Sequence, residues 1–207
     1  RAGDVAQDGF ELLADVLVRT ERSLGPDNGL TLATTQNYVH CLETTGETWA
    51  ASTLADGLLE RIARVFGPDH PSTLVCCDSL ILLHDTREEH DEAVRLARET
   101  YERKLRTFGQ DHAQSTETLG LLGRALLGNG EYPEAEEILW QAVEKRETTL
   151  GRVEEFGLRA RQDMAQLYSR TGRNAEALEL LDELLAIADE YPSDGIVNLG
   201  RCLWLRG

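Results

Sequence analysis

A glycine preceded by a large apolar residue recurs at a fixed interval along this chain, as Leu24-Gly25, Phe66-Gly67, Phe108-Gly109 and Leu150-Gly151, each pair 42 residues from the next. Self-similarity at such a period marks a repeat architecture, in which each unit buries its apolar face only by stacking on its neighbours. The following residues repeat too, as Gly25-Pro26-Asp27-Asn28, Gly67-Pro68-Asp69-His70-Pro71 and Gly109-Gln110-Asp111-His112. A second marker lies 21 residues further on, at Gly46, Gly130 and Gly172, with Glu88 in the one repeat that lacks the glycine. Each unit therefore consists of two segments of equal length.

Both segments carry helical periodicity. Ala135, Ile138, Leu139 and Ala142, and likewise Ala177, Leu180, Leu181 and Leu184, follow the i, i+3, i+4, i+7 rule of a helix with one buried face. Glycine at a helix end enters the left-handed region at little cost, and proline just beyond it forbids continuation. Asp27, Asp69 and Asp111 are placed to accept from the free amides of the next helix start. Ala51, Ala93, Ala135 and Ala177 share one register, where the arms of a hairpin approach closely. In the first helix Tyr38, Leu80, Leu122 and Met164 share an apolar position, each followed by a second packing residue, Val39, Ile81, Gly123 and Ala165.

These patterns predict an all-α chain, a right-handed α-solenoid of antiparallel helix hairpins with about ten helices. Residues 1–24 form a half repeat, 25–66, 67–108, 109–150 and 151–192 are full repeats, and 193–207 begin a fifth, so that 1–207 is a single array. Neither end has the polar outer face of a capping helix, so the chain is expected to be part of a larger protein.

The sequence resembles the tetratricopeptide repeats of the kinesin light chain type. The family's inter-hairpin signature reads here as Phe66-Gly67-Pro68-Asp69-His70-Pro71-Ser72-Thr73-Leu74, and its Gly-x-Tyr-x-Glu-Ala segment as Gly130-Glu131-Tyr132-Pro133-Glu134-Ala135. The family's Asn-Asn-Leu-Ala segment survives in part, as Gln36-Asn37-Tyr38-Val39 and Gln162-Asp163-Met164-Ala165. The resemblance implies a groove lined by the first helices, in which only Asn37 carries over the family's hold on a peptide backbone.

Projected onto that face, the candidate partner-binding residues are Gln36, Asn37 and His40, then Asp78, Ser79 and Leu82, then Leu121, Arg124 and Leu127, and finally Arg159, Gln162, Asp163, Gln166 and Arg170. Arg201, Trp204 and Leu205 extend it toward the C-terminus. The expected ligand is a protein or peptide segment, with carboxylates toward the arginine-bearing end. Two other readings compete: a homodimer formed through the terminal helices, and a ligand-sensing array of a multidomain nucleotide-switch signalling protein.

Charge narrows the partners. With 21 basic against 37 acidic side chains the formal charge is −16, which disfavours nucleic acid and anionic membrane surfaces. No run approaches the roughly 20 apolar residues of a spanning helix. Cys41, Cys76, Cys77 and Cys202 are too few and scattered for a disulfide framework, and read as buried thiols in a reducing, cytoplasmic compartment.

His84 and His90 lie six apart across a turn, the wrong spacing for zinc ligands on one helix face, so no metal is expected. His84 takes a core position equivalent to Leu42, Leu126 and Tyr168, and Arg87-Glu88-Glu89-His90-Asp91-Glu92 reads as a solvated turn. Gly128-Asn129-Gly130 lacks the lysine and preceding strand of a phosphate loop. With no nucleophile elbow, His-Glu-x-x-His helix or paired Cys and His, neither enzymatic activity nor a cofactor is expected.

Overall fold

The computed structural model describes the backbone of residues 2–150 and 155–190, and the side chains of 9–43, 45–148 and 156–190. Among these residues it is all-α, without a strand. Two compact units divide it, residues 1–89 and 90–207. Unit 1 holds α1 (Ala2–Leu24), α2 (Gly29–Thr45), α3 (Thr48–Phe66) and α4 (Pro71–Thr86). Unit 2 holds α5 (His90–Phe108), α6 (Ala113–Asn129), α7 (Tyr132–Leu150), α8 (Glu155–Arg170) and α9 (Asn174–Glu190). Residues 193–207, and with them Arg201, Cys202, Trp204 and Leu205, lie outside the described residues.

The three described linkers between hairpins close the preceding helix in the same way. Gly25, Gly67 and Gly109 have φ of 86°, 96° and 89°, and their amides close the preceding helix by donating to Glu21, Ala63 and Leu105 carbonyls. At Gly67 ψ is 160°, so this glycine leaves the helix in an extended conformation open almost only to glycine, rather than the left-handed helical one expected from the sequence. The side chain that caps the next helix is not the aspartate but the residue after it. Asn28 accepts from the Leu30 amide, His70 from Ser72 and His112 from Gln114. Two of the aspartates turn back instead: both carboxylate oxygens of Asp27 accept from Arg64 Nη2 of α3, and Asp111 accepts from Lys145 of α7 at 2.9 Å. Where the cap is histidine, the phenylalanine before the glycine stacks on it, Phe66 on His70 at 4.7 Å and Phe108 on His112 at 4.8 Å. In the first linker both partners change together, to Leu24 and Asn28.

The turns inside the hairpins carry the left-handed glycines, with φ of 82°, 80° and 79° at Gly46, Gly130 and Gly172. Glu88, the exception in sequence, adopts the same conformation with φ of 62° despite its Cβ.

Packing explains which helices are neighbours. In unit 1 α1 packs on α2, α2 on α3 and α3 on α4, and α2 also meets α4. In unit 2 α5 packs on α6, α6 on α7, α7 on α8 and α8 on α9, and α6 also meets α8. Among the described residues of unit 2 the second helices make no comparable approach to one another. First helices of successive hairpins thus lie close within a unit. Ala51, Ala93, Ala135 and Ala177 are all buried, as the shared register predicts.

Sizes are traded between the arms of a hairpin. Buried Val39 on α2 is matched by Ala55 on α3, and buried Gly123 on α6 by Leu139 on α7. Ala165 and Leu181 share a core cluster with Leu158, Leu184 and Ile187. A Cβ placed on Gly123 would lie 2.7 Å from Leu139 Cδ2 and Cγ, far inside van der Waals contact. Cys76 and Cys77, adjacent on α4, are both buried and unbridged, whereas Cys41 is half-buried rather than fully enclosed. Burial pushes the Cys76 thiol up to about 12.

Candidate partner-binding faces

An α-helix packed by three others has little circumference left for solvent. α6 is met by α5, α7 and α8, and α8 by α7, α9 and α6. This divides the residues projected from sequence onto the first-helix face. Leu127, Gln162 and Asp163 are 2%, 2% and 4% exposed, and in unit 1 Asp78 is 6% exposed, so these four belong to the packed layer and offer no open surface. Periodicity reports one buried face, whereas a first helix here is covered on several sides.

What remains open in unit 2 is a strip along α6 and α8. Leu121 and Arg124 on α6 and Gln166 on α8 are half-buried, and Arg159 and Arg170 on α8 are exposed. Arg159 lies over the Phe156 ring at 5.6 Å, and the Arg170 guanidinium donates to the Leu127 carbonyl at 3.3 Å, tying α8 to the last turn of α6. Buried Arg161 of α8 bridges to Glu147 of α7, and buried Arg146 lies over the Phe156 ring at 4.8 Å.

In unit 1 the corresponding strip presents exposed Asn37 and His40 with half-buried Gln36 on α2, and half-buried Ser79 and Leu82 on α4. His40 Nδ1 meets Glu43 Oε2 at 3.2 Å. Burial raises the Glu43 carboxyl above its usual range, against the opposing pull of His40. The strip of unit 1 is thus neutral to acidic, and that of unit 2 carries guanidinium groups.

Two clusters were not visible in the sequence. Arg87, read as part of a solvated turn, donates to Ser52 Oγ of α3 at 2.7 Å, bridges to Glu89 at 2.7 Å and lies 4.3 Å over the Trp49 ring. Glu89 also meets His84 Nδ1 at 2.7 Å, so the histidine read as a core residue is held by a carboxylate at the core's edge. In unit 2 the Trp140 indole donates to the Tyr168 hydroxyl at 3.2 Å, and Arg173 stacks over Tyr168 while bridging Glu136 and Glu176. Both depend on residues brought together from separate helices, which periodicity does not show. No group of three metal-ligating side chains occurs among the described residues, and no described helix is long and apolar enough to cross a membrane.

Comparison with known proteins places this geometry. Tetratricopeptide repeat models match residues 73–114 and 114–190. Two crystal structures of nearly identical TPR-like repeats, ascribed to a kinesin light chain of Podosopora anserina, are 25% identical to the chain, with TM-scores of 0.71 and 0.69. They cover 92% and 93% of this chain and 90% and 92% of their own. BtubC (BKLC) from P. vanneervenii shares the fold at 16% identity and a TM-score of 0.70, over 91% of this chain and 75% of that one. So does a Rap protein complexed with Competence and Sporulation Factor, at 16% identity and a TM-score of 0.72, over 94% of this chain and 53% of that one. Among curated proteins, none matches this sequence.

Proposed function

Since the chain belongs to the tetratricopeptide repeat family, as an array of the kinesin light chain type and hence a protein-interaction scaffold, we propose that it holds a peptide or protein segment against the first-helix faces of its hairpins. The observation that carries this reading is the strip on α6 and α8. There Arg124, Arg159 and Arg170 stand around half-buried Leu121 and Gln166, in a chain whose formal charge is −16. Guanidinium groups concentrated on one face of an otherwise acidic molecule favour carboxylates, which they grip with paired, charge-assisted hydrogen bonds. The ligand held on the unit 2 strip is therefore an acidic segment. The likeness to a Rap protein solved with Competence and Sporulation Factor supports this reading through the fold alone. Cys41, Cys76 and Cys77 are not joined in disulfides, which favours a reducing, cytoplasmic setting.

The test is capture from lysate by the intact chain, beside R124E/R159E/R170E. Loss of Arg170 also removes its bond to the Leu127 carbonyl, a change of about 1 kcal/mol, so melting by circular dichroism is recorded in parallel. Partners lost from a still-folded variant support the acidic-ligand reading. Capture that is unchanged removes it, and recovery of only the chain itself from both samples points to self-association.

A further inference from the structure

Trp49 is the most exposed large apolar side chain among the described residues, at 72%. It stands at the start of α3, on the rim of a pocket of about 430 Å³ lined by Gly46, Glu47, Thr48, Thr86, Arg87 and Glu89. An exposed indole is costly to hold in water and is among the residues that concentrate binding energy when a partner covers them. This one is also held in place. Arg87 covers one of its faces at 4.3 Å, and Arg87 is itself anchored by Ser52 and Glu89. The ring is therefore oriented in advance, with its opposite face turned outward.

The charge around it selects the occupant. Besides Arg87, the lining carries two carboxylates, Glu47 and Glu89. Glu47 is exposed, and although it occupies the N-cap position of α3 its side chain makes no capping bond there. The electron-rich face of an indole attracts cations, and a neighbouring carboxylate reinforces that choice. We propose that this pocket is a second docking point, distinct from the α6 and α8 strip, which takes a lysine or arginine side chain of a basic partner segment between the outer face of Trp49 and Glu47. Arg87 acts as the positioning residue that holds the ring.

The test uses the full chain and a fluorescein-labelled tetra-arginine peptide with blocked ends, followed by anisotropy at near-physiological salt. A tetra-glutamate peptide is the comparison. Wild type is expected to prefer tetra-arginine, with Trp49→Ala weakening it about two- to fivefold, the range of an exposed cation–π contact. Glu47→Gln is expected to weaken it about two- to threefold, and Trp49→Phe to retain most of the affinity. R124E/R159E/R170E should bind tetra-arginine at least as well as wild type, which separates this pocket from the acidic-ligand reading. Equal affinity in wild type and Trp49→Ala would overturn the proposal, because the peptide would then be held by diffuse acidic charge. A Trp49-dependent preference for tetra-glutamate would overturn it as well.

Discussion

Exchanging the sizes of Gly123 and Leu139 should be far less damaging than either change alone. Leu139 is fully buried, so Leu139→Ala removes a Cγ and two Cδ carbons from a packed site, at about 2–5 kcal/mol. Gly123→Val adds a Cβ and two Cγ carbons where the first already lies 2.7 Å from Leu139 and 3.3 Å from Ile138 Cγ2. Overpacking of this kind costs about 1–3 kcal/mol, offset by only a few tenths from the better helix propensity of valine. Were the sites independent, the double variant would lose about 3–8 kcal/mol, the sum of those ranges. Yet the carbons added equal the carbons removed, and the result is the valine and alanine pair already present at Val39 and Ala55. A volume-conserving swap costs under about 1.5 kcal/mol, so the coupling between the sites should exceed about 1.5 kcal/mol. Urea unfolding of the wild type, both single variants and the double variant, followed by circular dichroism, measures it. A double variant that loses the sum of the single losses would refute the size-trading account.

Other positions give simpler expectations. Glu88→Gly relieves a side chain held at φ of 62° and should stabilise unit 1 by about 1 kcal/mol, seen as a higher melting temperature; no gain would show that Glu88 is unstrained. His112→Ala loses both the cap to Gln114 and the stack on Phe108, for about 1.5–2.5 kcal/mol in urea unfolding, whereas His112→Asn keeps the cap seen at Asn28 and should recover about 1 kcal/mol of it. The raised carboxyl of Glu43 means that above its unfolded value of 4.5 the folded state binds more protons than the unfolded one, so this group's contribution to stability falls as pH rises through that window. Glu43→Gln should flatten that fall in unfolding curves taken from pH 4 to 7, about the carboxylate range.

Helix ends were readable because glycine and proline act through local backbone geometry, as at Gly67 and Pro71. The hairpin register was readable for a related reason: Ala51, Ala93, Ala135 and Ala177 recur at the repeat interval and all are buried. The choice of cap was not. Asp111 and His112 can both accept from a helix start, and what decides between them is Lys145, which draws the aspartate away from 34 positions further along the chain. Burial of Gln162 and Asp163 escaped the projection for the same reason, since it depends on how many helices surround α8 and not on the residues of α8. The role of Arg87 depends on Ser52 and Trp49, both on another helix. Periodicity reports one face of one helix, whereas these features are set by encounters between helices.

The traded sizes across the hairpins bear on how the chain avoids folding incorrectly. Arrays of similar hairpins risk pairing the first helix of one with the second helix of another, because each interface offers nearly the same apolar pattern. Were α2 to meet α7, Val39 would collide with Leu139; were α6 to meet α3, Gly123 and Ala55 would leave a void. Both mismatches are disfavoured by about a kcal/mol or more. The first hairpin is thereby kept from exchanging helices with the third, so the variation within the repeat works as proofreading of partner choice during folding.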